Sequence, residues 1–152
     1  MTSATALSRT LPAEHRERLM RIAREVSFEA GARLFEEGQR ADRFWIIRTG
    51  TVALDLHIPG RRAPVIESLG HDELVGWSWH FAPHAWHLGA VATSPVRAYE
   101  FDAKAVRAMC AQDAEFGRAV AVWVGQVVAD RLRKSRIRLL DLYAPYGSGS
   151  MP

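Results

Sequence analysis

Between Gly31 and Asp102 the apolar residues follow a period of two, and glycines at 31, 38, 50, 60, 70 and 76 cut the stretch into short pieces. A period of two belongs to strands with one buried face, and glycine supplies the positive φ that tight turns need. The pieces Phe44–Ile47, Thr51–Ile58, Val65–Leu69, Ala90–Ala92 and Val96–Phe101 are rich in β-branched and aromatic side chains. Arg33–Phe35 and Phe44–Ile47 flank Glu36-Glu37-Gly38-Gln39, and a second strand pair meets at Thr49-Gly50-Thr51. Many short strands joined by glycine turns signal a sandwich or barrel, and an antiparallel jelly-roll-like barrel is the expected core of the chain.

Helical periodicity frames this stretch on both sides. Ala13–Val26 sets Leu19, Ile22, Ala23 and Val26 at helical spacing with Leu11-Pro12 just ahead, which predicts a short amphipathic helix. After Asp102, Ala103–Cys110 reads as a short helix, and a long one starts at Asp113 or Ala114 and runs to about Tyr143. The chain therefore divides into a lead over 1–12, a mainly β domain with flanking helices over 13–143, whose last helix is 114–143, and a tail over 144–152. The tail, APYGSGSMP, is small and polar, and disorder is predicted there.

At 152 residues and 48% hydrophobic, the chain can bury a core as one domain. The net charge of +3 is carried mainly by arginines scattered from Arg9 to Arg138, which argues for solubility more than for a nucleic-acid stripe. Cys110 is the only cysteine, so no internal disulfide can form. Met1–Leu11 has no apolar core of signal-peptide length, and no run approaches a membrane span, so a cytoplasmic protein without a membrane partner is expected.

The run Phe28-x-x-Gly31-x-x-x-Phe35-Glu36-x-Gly38-x-x-Ala41-Asp42-x-Phe44-Trp45-x-Ile47-x-x-Gly50-x-Val52 resembles the N-terminal signature of the cyclic-nucleotide-binding domain, the sensor module of Crp/Fnr-type regulators. Asp42 reads as a turn residue of that signature. The resemblance covers roughly residues 10–143 and implies a β-roll with a phosphate-binding cassette. In that cassette a Gly-Glu pair takes the ribose, and an arginine followed by a small residue pairs with the cyclic phosphate. Here Gly76 matches, but Trp77 stands at the glutamate position. Counting forward from Gly76 puts the arginine position at His87; counting back from Glu100-Phe101-Asp102 puts it at Trp86. A neutral imidazole does not replace a guanidinium fork, so the departure argues against cyclic AMP held by the usual contacts.

What replaces the charged anchors is aromatic. Trp77, Trp79, Phe81 and Trp86 cluster in the segment, with Trp45 on the preceding strand. One reading is a pocket for a flat or apolar ligand, lined by Trp45, Leu69, Val75, Gly76, Trp77, Ser78, Trp86, His87 and Leu88; the other is that the rings fill the space themselves. His80, His84 and His87 would share one face if the segment were helical, and could then ligate a metal or haem iron. Pro83 interrupts the segment, however, and no cysteine or acidic ligand is near, so no metal is assigned. Cofactors are thus limited to a small-molecule ligand of undetermined identity. Cys110 reads as a buried small residue. No nucleophile–base order, paired carboxylates or phosphate-cradling loop recommends an enzyme.

In the C-terminal helix one stripe, Val120-Trp123-Val124-Val127, is expected to pack on the barrel. A second, Ala121-Gly125-Val128-Leu132-Ser135-Leu139-Leu142, keeps four–three spacing, and Val128, Leu132, Ser135, Leu139 and Leu142 are the expected homodimer seam. Arg131, Arg133, Lys134, Arg136 and Arg138 flank it and read as a solvated face that gives at most sequence-indifferent nucleic-acid binding. In the resembled regulators this helix leads into a helix-turn-helix domain, which is not expected here. Two functions follow: a regulatory sensor of a ligand other than an ordinarily held cyclic nucleotide, or a ligand-free module that works as a dimer, an adaptor to a protein partner or the partner of a Crp/Fnr-type regulator.

Overall fold

A computed structural model describes residues 11–148, with side chains described to Asp141. Helix α1 (Ala13–Arg21) follows Pro12, and strands β1 (Arg24–Phe28), β2 (Arg33–Phe35), β3 (Arg43–Thr49), β4 (Val52–Asp55), β5 (Val65–Leu69) and β6 (Leu74–Val75) come next. A single 3-10 turn (Ser78–His80) precedes β7 (Gly89–Ala92) and β8 (Val96–Asp102), after which helices α2 (Ala103–Gln112) and α3 (Ala114–Ser148) complete the order.

The strands form two antiparallel four-stranded sheets, in the orders β1-β8-β3-β6 and β2-β7-β4-β5. The jelly-roll expectation holds as two facing sheets, and no closed barrel is formed among the described residues. Between the sheets lie Phe35, Trp45, Val52, Leu54, Leu69, Val75, Ala90 and Val96, all buried, while Phe44 and Phe101 are buried on the opposite face of their sheet, where Phe44 stacks on Trp79. Each fully buried large side chain in this layer contributes about 1.5–3 kcal/mol. Gly50, at the β3–β4 turn with φ of 91°, has no room for a side chain, because a Cβ there would collide with the Pro95 carbonyl.

Three boundaries move by about three residues or more from the sequence reading. The predicted first helix, Ala13–Val26, stops at Arg21, and Arg24–Phe28 is instead an edge strand paired with β8 from Arg24↔Glu100 to Phe28↔Val96. Val26 and Phe28 lie two apart, so they face the same side of a strand, and the partner β8 chooses between two local patterns that Val26 serves equally. Thr51–Ile58 shortens to β4, ending at Asp55. The long helix reaches Ser148 rather than Tyr143, so part of the predicted tail is helical; 149–152 lie outside the described residues, as do residues 1–10 of the lead.

Asp102 caps α2 by accepting from the Lys104 and Ala105 amides at 3.0 and 3.4 Å. Asp113 caps α3 the same way from Glu115 and Phe116, and its other oxygen accepts from Arg18 of α1 at 2.6 Å. The Arg18 contact is the first cause holding the Asp113 carboxyl below its ordinary range. The stripe Val120, Trp123 and Val124 is buried, with Val127 half-buried, as expected.

Beyond that stripe the helix is pinned to β5 and β6 by the cations read as solvated. Arg131 donates to the Leu74 carbonyl and faces Glu67 at 4.0 Å with its side chain 12% exposed, Lys134 lies 3.6 Å from Glu67, and Arg138 donates to the Ile66 and Val65 carbonyls at 3.0 Å. This corrects the free basic face: three of its five cations bind the domain's own strands. Desolvation lowers the Arg131 pKa from its ordinary value, opposed by the nearby carboxylates of Glu67, Glu73 and Asp130. No described helix is long and apolar enough to cross a membrane.

Candidate functional site: the cassette

Strand β6 ends at Val75, and Gly76, with φ of 87°, turns the chain into the cassette. A side chain at Gly76 would collide with the Trp86 ring, so this glycine is required by φ and by space together. The first arm continues through Trp77 into the 3-10 turn. There Trp79 is fully buried, stacks on Phe44 at 3.9 Å and donates from Nε1 to the Gly76 carbonyl at 3.1 Å. Arg107 of α2 donates to the Trp79 carbonyl at 2.7 Å and ties this arm to the helix.

The returning arm is zipped onto the β2–β3 turn. The Ala41 amide donates to the His84 carbonyl at 2.7 Å, the Trp86 amide to Gln39 at 2.9 Å, and the Gly38 amide to Trp86 at 2.8 Å. With both backbone groups fixed, Trp86 turns its indole inward, where it is 4% exposed and stacks on Phe35 with centroids 3.9 Å apart and planes 11° off parallel. Trp45 lies 6.5 Å away and anchors its own Nε1 on Glu100 at 3.1 Å. Of the two candidates for the arginine position, Trp86 therefore faces the interior and His87 is exposed.

The nine residues expected to line a pocket divide between two environments. Trp45, Leu69, Val75, Gly76 and Trp86 are packed into the core, and Ser78 is buried beside them. Trp77 and Leu88 are half-buried and His87 is exposed, so these form a rim. On the rim the Trp77 and His87 rings are 5.8 Å apart and near parallel, and the Ser78 hydroxyl shares a 3.0 Å hydrogen bond with His87 Nδ1. The three cassette histidines do not share a helical face: only His80 falls in the 3-10 turn, and His84 has φ of 58°. Desolvation, then Arg107 and His84, lower the His80 pKa below its ordinary value. Cys110 is half-buried, and burial raises its thiol pKa.

A second feature, absent from the sequence reading, lies on the other face of the β2-β7-β4-β5 sheet. Arg33, Glu36, Glu37, Asp55, His57, Ala63 and Gly89 line a cleft of about 290 Å³. Arg33 donates to both Asp55 oxygens at 2.6 and 3.1 Å and to both Glu36 oxygens at 3.1 and 2.8 Å; the Asp55 bond is the main cause raising the Arg33 pKa. A Cβ at Gly89 would strike this pair, so the glycine leaves room for it. The available signal was Asp55, a charge ending the apolar run Val52–Leu54.

Two antiparallel sheets facing each other, a glycine-led cassette between β6 and β7 and a long helix packed across them define a β-roll module. The chain belongs to the cyclic nucleotide-binding domain family, whose pattern matches residues 25–113. It is 30% identical over 117 residues to the CRP-like cAMP-activated global transcriptional regulator of Mycobacterium tuberculosis, covering 77% of this chain and 50% of that protein; the chain thus spans about half the length of the curated relatives it matches. Among solved structures it is similar to a putative cyclic nucleotide-binding protein from Geobacter metallireducens, with a TM-score of 0.73 and 25% identity over 87% of this chain and 99% of that one. It is also similar to the N-terminal domain of a transcriptional regulator from Streptomyces coelicolor, with a TM-score of 0.67 and 26% identity over 88% and 92% of the two chains.

Proposed function

We propose that this protein is a cytoplasmic regulatory module that holds no cyclic nucleotide through the carboxylate–guanidinium pair and acts through α3, by pairing with a second copy or with a protein partner. The observation that carries the reading is Trp86. At the arginine end of the cassette the chain offers a buried indole stacked on Phe35, and at the glutamate end it offers Trp77. An indole has one N–H donor and no charge, so it cannot offset a cyclic phosphate, and its ring takes the volume beside Gly76. Leu132 and Leu139 of α3 are 55% and 53% exposed, which supports an output carried by that helix.

A second reading, a sensor of a different small molecule, is favoured by the polar cleft around Arg33 and Asp55. The relative from M. tuberculosis is described as cAMP-activated, so the discriminating experiment is calorimetric titration with cyclic AMP and cyclic GMP at neutral pH. Loss of charge-assisted hydrogen bonds worth about 1.5–3 kcal/mol each puts the expected dissociation constant weaker than the micromolar range. A low-micromolar constant would overturn the proposal and would assign the phosphate to backbone amides and Ser78.

A further inference from the structure

The seam between α1 and the start of α3 gathers metal-ligating side chains far from the cassette. Glu14, His15 and Glu115 each present one ligand atom, and these atoms lie within 4.8 Å of one another. Glu14 and His15 stand in the first turn of α1, and Glu115 in the first turn of α3. His15 is only 8% exposed, and its Nδ1 is buried without a hydrogen-bond partner. Its ring meets Phe116 edge-on at 5.8 Å, which holds the imidazole in place. A buried ring nitrogen without a partner, on an imidazole clustered with two carboxylates, calls for an explanation. Arg18, the cation of this seam, is engaged elsewhere: it bonds Asp113 at 2.6 Å and lies over the Phe116 ring at 4.6 Å.

We propose that Glu14, His15 and Glu115 bind a divalent transition-metal ion of the zinc type. An imidazole with two carboxylates suits zinc better than magnesium or calcium, which favour oxygen-only shells. Bonds of about 2.0–2.2 Å in a tetrahedron bring ligand atoms to roughly 3.4 Å of each other. The two glutamates are exposed and can close that gap by side-chain rotation, while His15 stays where Phe116 sets it. Three protein ligands leave a fourth position for water. The bound ion offsets the charge of the paired carboxylates and staples the first helix to the helix proposed to carry the output.

The test is calorimetric titration of the full chain, first stripped with a chelator, with Zn²⁺ alone, beside thermal unfolding with and without Zn²⁺. A single saturable site per chain and a rise in Tm on adding Zn²⁺ are expected. The double variant Glu14→Gln with Glu115→Gln, at two exposed positions, should weaken binding by at least about tenfold and abolish the Tm rise. The control pair His80→Ala with His84→Ala should leave both unchanged. The proposal is overturned by absence of saturable binding to the wild-type chain, by binding that survives the glutamate pair, or by binding that depends on His80 and His84 instead.

Discussion

Trp86 and Gly76 act as one unit: the glycine turns the chain at a φ of 87° and leaves the volume into which the indole packs. The backbone of Trp86 is bonded on both sides to the β2–β3 turn, so the ring is positioned by the same glycine-rich hairpin that carries the family signature. Its stacking on Phe35 is a packing contact in a water-excluded layer. Truncation there removes the ring and leaves a cavity between the sheets. Trp86→Ala should therefore destabilise the fold by about 3–5 kcal/mol in denaturant unfolding. A loss well under ~1 kcal/mol would mean that the ring is not part of the core. That the segment was aromatic could be read from the residues; that Trp86 points inward and His87 outward could not, because adjacent positions differ only through the bonds that orient them.

The cassette as an element carries a pH response centred on His80. Burial is the first cause lowering the His80 pKa from 6.5, followed by the positive charge of Arg107 and by His84. The unfolded chain therefore takes up a proton on this ring at a higher pH than the folded one does. Between 6.5 and the lower folded value the unfolded state binds more protons, so stability falls as pH drops through that window and is retained above it. Thermal unfolding at pH 7.5 and pH 5.5 should show a lower Tm at the acid value, and His80→Asn should narrow the difference. An unchanged pH dependence in the variant would assign the acid sensitivity to other groups. Other elements were legible to different degrees. The β3, β5 and β8 segments are rich enough in β-branched and aromatic residues to name, and the inner stripe of α3 reads directly from its spacing. β1 did not, since Arg24–Phe28 continues a helical pattern until β8 pairs with it. β6 is two residues long, too short for any period to show.

For the whole molecule the open question is what covers the outer face of α3. Leu132, Ile137, Leu139 and Leu140 are each more than half exposed, and the predicted seam position Ser135 is exposed among them, while Val128 is half-buried and the Leu142 side chain lies outside the described residues. Leu132 and Leu139, seven residues apart, fall on one line of the helix, the placement expected of a self-associating seam. Light scattering of the wild-type chain should give a dimer, and Leu132→Asp should give a folded monomer by circular dichroism, because Leu132 contributes nothing to the buried core. A monomeric wild type would remove the seam, and an unfolded variant would place Leu132 in the domain's own packing. Arg131, Lys134 and Arg138 bear on the same question from the other side of the helix. Their charge was visible in the sequence, but their occupation by Glu67 and by strand carbonyls depends on β5 lying alongside α3. The sequence by itself determined the period of the strands, the turn glycines, the apolar stripe of the last helix and the absence of any carboxylate or guanidinium between Gly76 and Ala90, since each is a property of neighbouring residues. Only the tertiary structure decided the division into two sheets, the inward turn of Trp86, the Arg33–Asp55 cleft and the docking of α3. Those depend on contacts between residues far apart in the chain, where the partner's position, not the local pattern, sets which face is buried and which charge is paired.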